Sequence, residues 1–187
     1  MAGLLQQIAA RKPEVAPAVS EVVGQVQAIA QVYGLQVGAD GPLALRSVVE
    51  AITGSVQRTF GRAITLKVEG ADKCDWVLPE AESIPIALTV NELLTNAIKH
   101  CSAEQDDADI TCLLACAEAG VRIVIGNLGR LEADFNLARI PGGVSGLGLV
   151  RALLPRRSAT LAIEQQGGRV LATVTLAPPG VKRLEPG

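Results

Sequence analysis

The run Asn91-Glu92-Leu93-Leu94-Thr95-Asn96-Ala97-Ile98-Lys99-His100 places an acid, an amide and two bases at helical spacing. Glu92 and Asn96 lie four residues apart, and Lys99 and His100 follow three and four residues later. One helix face therefore carries all of them, while Leu88, Leu94 and Ile98 help to define the buried side. An asparagine oxygen is a hard ligand suited to Mg²⁺, and a carboxylate one turn away can orient or deprotonate a nucleophile. A solvated polar helix face accounts for the same spacing with no chemistry at all. The run therefore needs support from the segments around it.

Upstream, Pro79-Glu80-Ala81-Glu82 opens this helix with acidic residues suited to its N-terminal dipole. Before that, Leu43 to Phe60 reads as a helix with Leu45, Val48, Val49 and Ile52 on one face, ended by Gly61. Ala63–Val68 alternates as a strand, and Asp75–Leu78 reads as its short partner. Downstream, Asp109–Ala117 and Val121–Gly126 form a hairpin across Glu118-Ala119-Gly120. Leu128 to Ser145 has no clear period and contains Pro141-Gly142-Gly143, so it reads as a long loop, and loops of that length are usually functional or disordered. A short helix from Gly146 to Leu154 follows. Ala159–Glu164 and Arg169–Leu176 make a second hairpin, and the tail from Pro178 reads as frayed.

The N-terminal 37 residues read as helical. Leu4, Leu5 and Ile8 form a short apolar stripe closed by Arg11-Lys12-Pro13. A second helix runs from about Pro17 to Tyr33-Gly34, with a heptad-like seam of Val15, Val19, Val22, Val26, Ile29 and Tyr33. That seam suits either a helix packed on its own domain or a helical hairpin packed on a partner chain. Gly38-Ala39-Asp40-Gly41-Pro42 breaks the helix before the mixed region begins.

Two further stretches bear on function. In Val144-Ser145-Gly146-Leu147-Gly148-Leu149 a loop becomes a helix. Glycines there let the backbone approach an anion, and the free N–H groups of the first turn can receive phosphate oxygens. The dinucleotide-binding fingerprint belongs in an early strand-turn-helix, which this late position is not, and no Gly-Lys-Ser/Thr of a P-loop occurs. In Ile123-Val124-Ile125-Gly126-Asn127-Leu128-Gly129 a strand ends in the long loop, where Asn127 either holds a turn or reads a ligand.

Composition narrows the classes. The chain has 187 residues, 49% of them apolar and 19% charged, enough for a sizeable core. Aromatics are only 2%, against a base-stacking single-strand binder, and a net charge of −2 gives no footprint for a nucleic-acid duplex. Cys74, Cys101, Cys112 and Cys116 form no C-x-x-C pair, and His100 is the only histidine, so a structural zinc site is not expected. Cys112 and Cys116 fall on one face of a strand and read as buried thiols, which points to a reducing compartment. No run reaches the roughly 18 apolar residues of a membrane span, and no signal-peptide pattern opens the chain. The expected location is cytoplasmic.

Together and in this order, the three stretches resemble the catalytic ATP-binding domain of sensor histidine kinases, in the superfamily shared with gyrase and mismatch-repair ATPases. Asn91–His100 resembles the N box, Asn127-Leu128-Gly129 a degenerate first glycine box and Gly146-Leu147-Gly148 the second. The subgroup it is most similar to includes the HWE-type kinases. The resemblance implies an α/β (α+β) two-layer sandwich, a mixed and mostly antiparallel sheet covered by helices, preceded by an N-terminal helical hairpin. Residues 1–37 would be part of the dimerisation and histidine-phosphotransfer helices, 42–178 the catalytic domain and 179–187 a tail.

The roles implied are specific. Asn96 would coordinate Mg²⁺, Glu92 would help to activate the attacking group, and Lys99 and His100 would lie near the phosphates of ATP. Asn127 stands where the family places an adenine-binding aspartate, and Gly129 would allow close approach of the base. Ser145, Gly146, Leu147 and Gly148 would frame the triphosphate, with residues 130–145 as the lid. Two departures stand out. Asn127 lacks the charge of the usual aspartate, so an aspartate there would be expected to tighten binding, and Leu131 replaces a second glycine. The N-terminal helices also lack the phosphoacceptor histidine, so either the chain begins downstream of it or another chain supplies it. The implied partners are a response regulator and a second copy bound through the N-terminal helices, with no nucleic acid and no membrane segment. The rival expectation is a non-catalytic phosphotransfer adaptor or anti-sigma-type module on the same fold.

Overall fold

The computed structural model describes residues 16–38, 41–70, 74–102, 109–155 and 157–184. The Leu4–Ile8 stripe and Val15 lie outside them, and with them the first arm of the expected hairpin. Four α-helices are described: α1 (Ala16–Val37), α2 (Leu45–Phe60), α3 (Glu80–Lys99) and α4 (Gly146–Leu153). The strands are β1 (Leu43–Ala44), β2 (Thr65–Glu69), β3 (Trp76–Leu78), β4 (Ile110–Ala117), β5 (Gly120–Leu128), β6 (Ala159–Gln166), β7 (Arg169–Leu176) and β8 (Lys182–Arg183).

The main sheet has the order β2-β4-β5-β7-β6, with β2 parallel to β4 and every other pair antiparallel. A parallel pair needs a long crossover, which α3 supplies between β2 and β4. Period-2 alternation buries Ile110, Cys112, Leu114 and Cys116 on β4, with Val121, Ile123 and Ile125 on β5 and Val174 and Leu176 on β7. α2, α3 and α4 join these residues in one core. The fold is thus the expected α+β sandwich with a mixed, mostly antiparallel sheet.

Three expectations change. β3 does not pair with β2. It is the middle strand of a separate sheet, β1-β3-β8, in which Trp76 faces Arg183 and Val77 faces Lys182. The tail is therefore built in as far as Leu184, whose N–H donates to Asp75 O at 2.7 Å, and Val181 is fully buried. Two-residue strands are too short to show alternation, so the sequence pattern could not reveal them. Cys116 is buried as expected, but it is bonded to Cys74 across 42 residues and is no thiol, which removes it from the argument for a reducing compartment; Cys112 is the buried free thiol. Sequence spacing does not show which cysteines meet.

The third change concerns α1. The helix packs on α3 and α2 through Val23, Ala28 and Val32, whereas Val22 and Val26 of the expected seam are 48% and 49% exposed. Adjacent apolar residues such as Val22-Val23 and Ala28-Ile29 make more than one face apolar, so periodicity alone does not choose the inner one. As a result α3 is enclosed on both sides, and every residue from Ile86 to Thr95 is buried.

Candidate functional site

A cavity of about 450 Å³ opens between α3, the sheet and the loop after β5. Leu93, Asn96, Ala97 and His100 line it from α3, Ile125 and Asn127 from β5, and Leu147 from α4. Ile163, Val170 and Ala172 form its apolar floor, and Arg130, Leu131, Glu132 and Phe135 of the loop close over it. Apolar walls with a few convergent polar groups are the usual make-up of a small-molecule site.

Asn127 is 5% exposed, and its amide orientation is set by its neighbours. Nδ2 donates to His100 O at 3.3 Å and to Leu128 O at 3.0 Å, so both N–H groups are spent on backbone carbonyls. The oxygen is what remains to offer the cavity, an acceptor matched to a ligand N–H. An aspartate at 127 would lose both of these bonds and turn a carboxylate oxygen on two carbonyl oxygens.

The loop is pinned along its length. Gln165 donates to Gly129 O at 3.0 Å and accepts from Leu131 N at 2.7 Å. A 3₁₀ turn at Leu137–Arg139 is capped by Asn136, and Arg151 of α4 donates to Ala138 O and Ile140 O. Gly129 and Gly148 serve packing: a Cβ at Gly129 would meet His100 O at 2.9 Å, and one at Gly148 would meet Pro141 O at 2.8 Å.

Glu92 sits apart from the cavity wall and is only 1% exposed. Its carboxylate accepts from Gln25 Nε2 of α1 at 3.1 Å and from Gly146 N at 3.0 Å. Gly146 has φ +56°, a left-handed conformation that favours glycine and turns its N–H to this corner. Glu21 Oε1 accepts from the same N–H at 2.9 Å, and Gln25 also donates to Val144 O at 3.2 Å. Burial pushes the Glu92 carboxyl above its ordinary 4.5. The Gln25 hydrogen bond opposes this, the Glu21 charge adds to it, and Gly146 and Lys99 oppose it.

The structure therefore gathers Asn96, His100, Asn127 and Leu147 around one cavity and joins Glu92 to Gly146 beside it. Lys99 and Ser145 are exposed and do not line the cavity; nor do Gly129 and Gly148. Glu21, Gln25, Gln165 and Arg151 carry no motif, and no local sequence signal marks them. Among the described residues no group of three His, Cys, Asp or Glu could hold a metal ion, and no helix is long and apolar enough to cross a membrane.

No protein-family model matches the chain, and no curated protein matches it. Solved structures do. The histidine kinase domain of the blue-light activated histidine kinase EL346 from Erythrobacter litoralis superposes with a TM-score of 0.63 at 22% identity, covering 94% of this chain and 93% of that one. The fold is that of a histidine kinase catalytic region. The larger EL346 kinase chain matches with a TM-score of 0.60 at 21% identity, and this chain spans only 47% of its length. The histidine kinase ThkA, solved in complex with the response regulator protein TrrA, matches at 12% identity with a TM-score of 0.55, over 93% of this chain and 56% of that one. A bacterial phosphotransferase matches at 10% identity with a TM-score of 0.50, over 92% of this chain and 85% of that one. In this histidine-kinase fold the cavity lies beneath the long loop, and α1 lies across α3.

Proposed function

We propose that this chain is the ATP-binding region of a protein-histidine kinase of the HWE-like subgroup, with residues 42–178 together with the β8 segment as the catalytic part and 1–37 as dimerisation and phosphotransfer helices. The observation that carries this is Asn127, whose oxygen is left as the acceptor in an apolar cavity of base-binding size. Bound Mg-ATP supplies the phosphoryl group and the counter-charge for its transfer. Asn96, half-buried on the cavity wall, would ligate the metal; one or two protein ligands suffice when phosphates provide the rest. Glu92 would orient the attacking imidazole once exposed, and the helix start at Gly146–Gly148 would hold phosphate oxygens. The acceptor histidine comes from another chain or from residues outside this sequence, since His100 ends α3 at the cavity wall. A cytoplasmic location and a response regulator partner belong to the same proposal.

A second reading has an observation of its own. Glu92 is buried and doubly hydrogen-bonded, as suits a structural acid in a non-catalytic phosphotransfer adaptor or anti-sigma-type module. Calorimetry with AMP and with Mg-ATP separates the two. The kinase reading expects binding that Asn96→Ala weakens by about ten- to a hundredfold, the range of a lost bond to a charged group. Absence of binding by AMP and by Mg-ATP alike in the wild type favours the adaptor.

A further inference from the structure

The helix start to which the proposed function gives the phosphates is already engaged from within the chain. Gly146 N, the first backbone donor of α4, is held by Glu21 Oε1 at 2.9 Å and Glu92 Oε2 at 3.0 Å. Glu92 belongs to α3, but Glu21 arrives from α1, 125 residues away in sequence. Gln25, one turn further along α1, ties Glu92 Oε1 to the end of the loop at Val144 O. A phosphate oxygen seeking that N–H meets two carboxylates already in place, and a further negative charge is repelled there unless Glu21 withdraws.

The contacts of α1 divide along its length. Its early turns are held by the polar side chains of Glu21 and Gln25 and by Val23, which is buried but lies outside the main core, while its later turns are anchored in that core by Ala28 and Val32, which are 1% and 0% exposed. Water can replace the polar contacts if the early turns lift, whereas exposing the apolar anchor is costly. The helix is thus held less firmly at its early end than at its late end.

We propose that α1 is an internal competitor for the polyphosphate. With Glu21 and Gln25 in place, the site takes an adenine nucleoside or monophosphate; a triphosphate binds only when the first turns of α1 lift away. This inference rests on the nucleotide reading of the cavity. It differs from that reading in assigning the number of phosphates accepted to a residue of the N-terminal helix.

The test is calorimetry on the full chain with AMP and with Mg-ATP, for the wild type, Glu21→Ala, Glu21→Gln and Gln25→Ala. AMP affinity should be the same in all four. Mg-ATP affinity should rise about tenfold or more in Glu21→Ala, from the competing charged hydrogen bond removed, and should also rise in Gln25→Ala. Glu21→Gln, which keeps an acceptor but loses the charge, should fall between the wild type and Glu21→Ala. Hydrogen exchange gives a readout that needs no ligand: the Gly146 amide should exchange faster in Glu21→Ala. If Mg-ATP and AMP both bind but neither responds to the variants, the competitor role is wrong and the cavity reading stands. If no form binds either nucleotide, the cavity reading fails and the competitor role falls with it.

Discussion

Replacing Asn127 by aspartate tests the base pocket and the structure together. On sequence grounds, an aspartate restores a charged acceptor and should tighten ATP binding. The structure adds a cost in folding stability that the sequence argument leaves out. Both amide hydrogens of Asn127 are donated to carbonyls, His100 O at 3.3 Å and Leu128 O at 3.0 Å. An ionised aspartate loses both bonds and turns an oxygen on two carbonyl oxygens. Two lost hydrogen bonds at about 1 kcal/mol each, with about 1 kcal/mol more for the acceptors left facing it, give a loss of roughly 3 kcal/mol. For a chain of this size that is a drop in melting temperature of roughly 6–12 °C. Protonation of the aspartic acid restores one donor, so the deficit should shrink in acid. Thermal melting at neutral and mildly acidic pH, with calorimetry on the same samples, measures all of this. An unchanged melting temperature accompanied by tighter Mg-ATP binding would show that the Asn127 amide does not hold the two carbonyls.

Three other outcomes are expected. Because burial raises the Glu92 carboxyl above 4.5, the folded state keeps a proton the unfolded chain has lost, so this group's contribution to stability falls as pH rises through the window from 4.5 to its folded value. Denaturation of the wild type and Glu92→Gln across that range should show the difference between them changing in that direction; the opposite slope would mean that Gln25 and Gly146 outweigh burial. Reducing the Cys74–Cys116 bridge, which spans 42 residues, should cost about 4 kcal/mol by loop entropy, read as a lower denaturant midpoint; an unchanged midpoint in reductant would sink that estimate. Val22→Glu with Val26→Glu, on the half-exposed face of α1, should turn a dimer into a monomer on light scattering while changing stability by only about 0.5 kcal/mol. A wild-type chain that is monomeric at high concentration rules the seam out as an interface.

The sheet and its helices follow from the sequence because each long strand alternates and the helices α2 and α3 have clear starts. The strand Arg169–Leu176 has the same bounds in both readings. The site was harder to place. Spacing put Glu92, Asn96 and Lys99 on one face, but a helical face is shared by whatever packs on it. Here α1 covers Glu92, the loop covers Asn96 and solvent takes Lys99. Glu21 and Gln25 were out of reach for the same reason: nothing local in α1 signals a contact with residues 92, 144 and 146. The cysteine bridge and the β8 strand share that property, each being a long-range meeting of short segments.

The chain contains one tryptophan, Trp76, and its position decides what light can report about this protein. Its indole N–H donates to Ala117 O at 3.1 Å, and the Arg183 guanidinium lies 5.3 Å from the ring centroid. Ala117 ends β4, while Ile110 at the other end of that strand is paired with Asn127. Seven steps along a strand separate the two ends by roughly 23 Å. Intrinsic emission therefore monitors the joint between the two sheets and is remote from the cavity. A spectroscopist following occupancy of the cavity would need a second indole, and Phe135 in the loop above it is the natural position to place one.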